Sequence, residues 1–142
     1  MEKYVILPHT ADGKFQAFGR TVEEAFGNAA LATASLMWDW KKVGADISYP
    51  VRIQGKDLEQ LLVKFLSEII YLVETEAFLL GAVEELSIRK RSDVYSLKAR
   101  FLGDDLSKNY EVYGVVKAVT YNEMKIEKTE GCGFLVQVVV DM

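Results

Sequence analysis

Phe134-Leu135-Val136-Gln137-Val138-Val139-Val140-Asp141-Met142 is the stretch on which the fold turns. Its alternating, β-branched pattern predicts a core strand over 134–140 that runs straight into Asp141 and Met142. Order is therefore expected up to the last residues, where most chains fray. A second strand-like run, Tyr4-Val5-Ile6-Leu7, leads into Pro8-His9-Thr10-Ala11-Asp12. If Asp12 sits at the same sheet edge as Asp141, it converges there with Asp141 and the terminal carboxylate of Met142. Carboxylates crowd together only around a cation or a shared proton. Oxygen donors alone suit hard divalent ions such as Ca²⁺ or Mg²⁺, and Mn²⁺ also accepts them.

Outward from these ends, two helices announce themselves by their caps. Thr21-Val22-Glu23-Glu24 reads as a capping box, followed by a helix to about Trp38. Val22, Ala25, Phe26, Ala29, Ala30, Thr33, Leu36 and Met37 form its apolar face. Asp57, with Gln60 three residues on, caps a second helix ending near Glu74, whose face runs from Leu58 to Val73. Extended structure is expected at 14–18, at 83–89 and at 95–101. Alternation at Ile47, Tyr49, Val51 and Ile53, interrupted by Pro50, predicts an edge strand. Residues 103–109 read as a polar loop, 112–120 as a β-branched strand, Tyr121-Asn122-Glu123 as a tight corner, and 124–128 as a returning strand. The expected class is α+β. Two helices pack on one side of a largely antiparallel (mixed) β-sheet, in a single two-layer domain over residues 1–142.

Composition narrows the function. The 142 residues are half apolar and 27% charged, with a net charge of -4, the balance of a soluble globular domain and not of a basic nucleic-acid-binding one. The only basic clusters are Lys98-Ala99-Arg100 and Arg89-Lys90-Arg91, and the second reads as a solvated strand end leading into a turn. One cysteine and one histidine exclude an ordinary Cys/His zinc site, and Cys132 between two glycines reads as a turn residue. No apolar run is long enough to span a membrane and the N-terminus lacks signal-peptide character, so a cytoplasmic location is expected. Phosphate-loop and dinucleotide-binding signatures are missing, as is a Ser-His-Asp set. Trp38, Trp40 and Tyr71 read as packing residues. His9 is a candidate to orient Asp12, and Lys117 to balance the acidic end or touch a partner.

His9-Thr10-Ala11-Asp12, Gly19-Arg20-Thr21-Val22-Glu23-Glu24-Ala25-Phe26, Glu68-Ile69-Ile70-Tyr71-Leu72, Val116-Lys117-Ala118-Val119-Thr120-Tyr121 and Val140-Asp141 resemble archease motifs, in order along nearly the whole chain. The resemblance implies a small α+β protein that is not itself an enzyme. It would serve as a protein cofactor of the RtcB-type RNA ligase in tRNA splicing, promoting guanylylation of the ligase and its turnover, and would meet tRNA only through the ligase. The resemblance also implies a divalent metal, Ca²⁺ in some members, on Asp12, Asp141 and an oxygen of Met142. Gly13-Lys14 stands where the family usually has Ile-Gly, Asn122 where many members have His, and Val115 where an acid is common. Lys14 is thereby set to compete with a cation for Asp12. A metal-independent, chaperone-like interaction module for RNA-processing proteins is the alternative reading.

Overall fold

The computed structural model describes residues 2–8 and 12–142. Seven strands and two helices follow in the order β1 (Tyr4–Leu7), β2 (Gly13–Gly19), α1 (Val22–Ser35), β3 (Ile47–Gly55), α2 (Leu58–Glu76), β4 (Phe78–Arg91), β5 (Val94–Asp105), β6 (Ala118–Thr129) and β7 (Gly133–Asp141). The α+β class is as expected. The single expected sheet is instead two, a four-stranded β1-β2-β7-β6 and a three-stranded β3-β5-β4. Every strand pairing in them is antiparallel. Each helix touches both sheets: α1 meets β2, β7 and β4, and α2 meets β3, β4, β5 and β6.

The caps act as the sequence predicts. Thr21 Oγ1 accepts from the Glu24 N–H at 3.1 Å, and Asp57 Oδ1 from the Gln60 N–H at 2.7 Å. Each cap stabilises its helix by about 1 kcal/mol. The alanines of α1 explain its central position. Ala25, Ala29, Ala30, Ala32 and Ala34 are fully buried, which a helix squeezed between two sheets requires. On α2, Leu61, Leu62, Phe65, Leu66 and Ile69 are buried, each contributing roughly 1.5–3 kcal/mol through removal from water. Among the described residues no helix is long and apolar enough to cross a membrane.

Four local expectations are corrected. Helix α1 ends at Ser35, and Trp38 bridges instead to Val112. The expected strand 112–120 begins only at Ala118, because Tyr113 turns its N–H to the Met37 carbonyl. The tight corner at 121–123 is a bulge inside one continuous strand: β6 shifts register against β7 between Thr120 and Lys125, with Glu123 at φ 52°. The polar stretch 103–105 belongs to β5, and Asp104 is buried. Pro50 does sit on an edge strand, since β3 pairs only with β5.

Candidate functional site

The ends of the chain meet in the four-stranded sheet. Strand β2 lies against β7 with Gly13 opposite Val140 and Phe15 opposite Val138. Asp12 directly precedes Gly13 and Asp141 directly follows Val140, so the two acids stand at the same end of this ladder. On the other side of β7, Ala118 pairs with Asp141, and the Lys117 N–H donates to the Asp141 carbonyl at 2.7 Å. The same register brings Lys117 level with Met142. Asp12, Asp141, Met142 and Lys117 therefore share one end of one sheet. His9, Thr10 and Ala11 lie outside the described residues.

Met142 is held by its side chain. A Cβ placed on Gly13 would be 3.0 Å from Met142 Sδ, and one on Gly114 would be 3.5 Å from Met142 Cε. The thioether thus lies over Gly13 and reaches toward Gly114, packed against the core. Among the described residues, no three His, Cys, Asp or Glu side chains group as a metal set. At this end of the sheet stand two acidic residues, Asp12 and Asp141, with the main chain of Met142 next to the second. Oxygen donors of this kind suit hard cations rather than soft ones.

Lys14 is committed elsewhere. Its ammonium meets Glu123 Oε1 at 3.1 Å, across β7 on the bulge of β6. The competition with a cation foreseen for Lys14 is therefore met by a carboxylate of the chain itself. Gln137 fastens the same bulge: its Nε2 donates to the Glu123 carbonyl at 2.8 Å, and its Oε1 accepts from Gln16 Nε2 at 2.9 Å. Nothing in the sequence at Gln137 announced this role, because the bulge it secures exists only in the paired strands. Thr120 Oγ1 also donates to the Val139 carbonyl at 2.7 Å.

The acids of the stretch read as a polar loop, Asp104 and Asp105, do structural work. Asp104 accepts from Tyr110 Oη at 2.8 Å, from the Asp105 N–H at 2.9 Å and from Lys108 Nζ at 3.0 Å. These donors, Tyr110 foremost, hold its carboxyl below the ordinary aspartate range. Lys108 also pairs with Asp46 at 3.0 Å, and its hydrogen bonds to Asp46 and Asp104 raise its pKa. Asp105 caps a short 3-10 turn through the Ser107 N–H at 2.8 Å, which lowers its own pKa. Trp38 is buried with Nε1 donating to the Leu80 carbonyl, and Trp40 Nε1 donates to Tyr4 Oη. Tyr71, read as a packing residue, is 56% exposed. Cys132 is an exposed turn residue.

Comparison with known proteins bears on the family and the fold. The family model described as the Archease protein family (MTH1598/TM1083) matches residues 4–142. The protein archease of Methanosarcina barkeri is 42% identical over 142 residues, covering 99% of this chain and 97% of that relative. The protein archease of Thermococcus kodakarensis is 37% identical over 143 residues, with both chains fully covered. The solution structure of Methanobacterium thermoautotrophicum protein 1598 superposes with a TM-score of 0.84 at 29% identity, again over the whole of both chains. With the family model spanning all but the first three residues and relatives of this identity aligned end to end, the chain belongs to the archease family.

Proposed function

We propose that this chain is a non-catalytic accessory protein of an RtcB-type RNA ligase in cytoplasmic tRNA splicing. It promotes guanylylation of the ligase and its turnover, through a divalent cation held by Asp12, Asp141 and the terminal carboxylate of Met142. The observation that carries the reading is the β2–β7 ladder, whose last paired step, Gly13 opposite Val140, is followed on the two strands by Asp12 and Asp141. Membership of the archease family supports the class of partner. Bound there, a cation offsets the mutual repulsion of the carboxylates and leaves coordination positions open toward a partner. Ca²⁺ is the first candidate, with Mg²⁺ and Mn²⁺ as the others. Lys117 stands level with Met142, exposed and next to the ligand set, where it contacts the partner.

The test is a ligase turnover assay at limiting GTP and metal, with and without this protein. Wild type restores multiple turnover, while Asp12→Ala, folded by circular dichroism, does not. Wild-type stimulation by a folded Asp12→Ala protein refutes the reading. Calorimetric titration with Ca²⁺, Mg²⁺ and Mn²⁺, repeated on Asp141→Asn, tests the cation separately. Stimulation of the ligase with no heat from any of the three ions points to a metal-independent interaction module instead.

A further inference from the structure

Two basic runs that are separate in the sequence become neighbours in the three-stranded sheet. Lys98 pairs with Arg52 on one side and Ser87 on the other. Arg100 lies between Pro50 and Glu84, and Ser96 between Gln54 and Arg89. Directly opposed residues share a face of a sheet, as do residues two apart along a strand. Arg52, Arg89, Arg91, Lys98 and Arg100 therefore stand on one face, and all five are exposed. The other face carries Val51, Leu97, Ala99 and Phe101, which are buried in the core. A sixth cation, Lys64 of α2, reaches the β3 edge and donates from Nζ to the Gln54 carbonyl at 2.8 Å. Arg52, Lys64 and Lys98 line a groove of about 460 Å³ there.

The acids beside this set are few. Glu84 faces Arg100, Glu85 Oε2 lies 3.4 Å from an Arg100 nitrogen, and Asp93 sits in the turn between β4 and β5. Among the described residues Arg52, Arg89, Arg91 and Lys98 make no ion pair. A chain with a net charge of -4 has thus sorted its charge by face. The cations run along β5 from Arg100 to the β4–β5 turn, roughly 20 Å at ~3.4 Å per residue, in rows ~4.8 Å apart. A field of this length suits a polyanion and exceeds what one phosphate or carboxylate needs. Its apolar members, Pro50, Ala82, Val94 and Leu102, are none of them buried, so it lacks the buried apolar centre of a protein interface. Phosphate contacts require no such centre.

We propose that the solvent face of the β3-β5-β4 sheet binds the phosphate backbone of single-stranded RNA through Arg52, Lys64, Arg89, Arg91, Lys98 and Arg100. Among the described residues no aromatic side chain stands on this face among the cations to stack bases, so the binding reads charge and spacing and not sequence. The proposal goes beyond the ligase reading and does not depend on it, since its test uses this chain and RNA alone.

The test is fluorescence anisotropy of a labelled uridine oligonucleotide of about 16 nucleotides, a length that spans one small-domain site. The titration is made at about 50 and 200 mM salt. Wild type binds, and more weakly at the higher salt. Arg52→Gln combined with Lys98→Gln lowers affinity about tenfold or more and flattens the salt slope by about 1.4, which is 0.7 for each lost contact. Lys125→Gln combined with Lys128→Gln makes the same change of charge on β6 and leaves affinity within about twofold. Circular dichroism confirms that both variants fold. Absence of salt-dependent binding overturns the proposal, as does equal loss in the two double variants. Displacement of the RNA by polyglutamate as readily as by polyuridylate also overturns it. So does binding to phosphatidylserine vesicles without binding to the oligonucleotide.

Discussion

Replacing Gly103 by alanine tests how closely β4 and β5 must approach at the end of the sheet. A Cβ on Gly103 would stand 1.9 Å from the Leu79 carbonyl oxygen, and 2.7 and 2.8 Å from Cζ and Cε1 of Phe78. Ordinary contact begins at 3.4 Å, so the carbonyl and the methyl must separate by about 1.5 Å more than the native backbone allows. Gly103 pairs with Leu80, and Phe78, Leu79 and Leu80 are all buried, so neither strand can retreat into solvent. A shift of that size stretches the neighbouring ladder bonds beyond hydrogen-bonding range. Leaving one buried carbonyl unpaired costs about 1–3 kcal/mol, and overpacking adds roughly 1–3 kcal/mol. The sum, about 2–6 kcal/mol, is a large part of the ~5–15 kcal/mol available to a domain. Urea denaturation followed by far-ultraviolet circular dichroism would place the Gly103→Ala midpoint about 2 M below wild type. Gly27→Ala is the matched control. Nothing lies within 4 Å of a Cβ there, in the middle of α1, and the change should stabilise by up to ~1 kcal/mol. A Gly103→Ala protein within about 1 kcal/mol of wild type would mean that the two strands are not packed as described.

Three further outcomes follow from particular contacts. Gln137→Leu removes the bonds to the Glu123 carbonyl and Gln16; it should cost about 1–3 kcal/mol and speed hydrogen exchange at 121–124 while the β2–β7 ladder stays protected. Ala77 closes α2 in the left-handed region at φ 52°, so Ala77→Gly should raise stability by roughly 0.5–1 kcal/mol in a thermal melt, the relief of strain exceeding the entropy of glycine. The folded Asp104 carboxyl titrates below its ordinary 3.8, so its stabilisation is present above that pH and drains away as pH falls through the depressed value. Asp104→Asn should therefore flatten the acid limb of stability against pH, and an unchanged limb would show that other carboxylates govern it.

What could be read from the sequence was local. Thr21 and Asp57 carry their caps within four residues, so both helices were legible. The apolar alternation of β7, with Asp141 at its end, was legible for the same reason. Pairing was not. The sequence does not state that β3, β4 and β5 form a separate sheet, because register depends on partners far away in the chain. Asp104 looked like loop because its polarity shows in sequence, whereas Tyr110 and Lys108, which let it be buried, meet it only in the fold. The apolar run from Val112 misled in the opposite sense. A Cβ on Gly114 would lie 2.2 Å from the Leu36 carbonyl, so that segment crosses the end of α1 closely and is not a sheet strand until Ala118. The cationic face is the clearest loss. Arg52 and Lys98 are 46 residues apart in the sequence and directly opposed in the sheet.

The position of β7 also bears on synthesis. Strand β2 has β1 on one side, but its other partner is the final strand, with Gly13 opposite Val140. Until those last residues emerge from the ribosome, β2 has an open edge and the alanine-rich surface of α1 lacks one of its walls. Pairings so distant along the chain are slow to form, and unpaired strand edges invite association between nascent chains. The first third of this protein must therefore wait, partly assembled, for the last nine-residue strand to complete it.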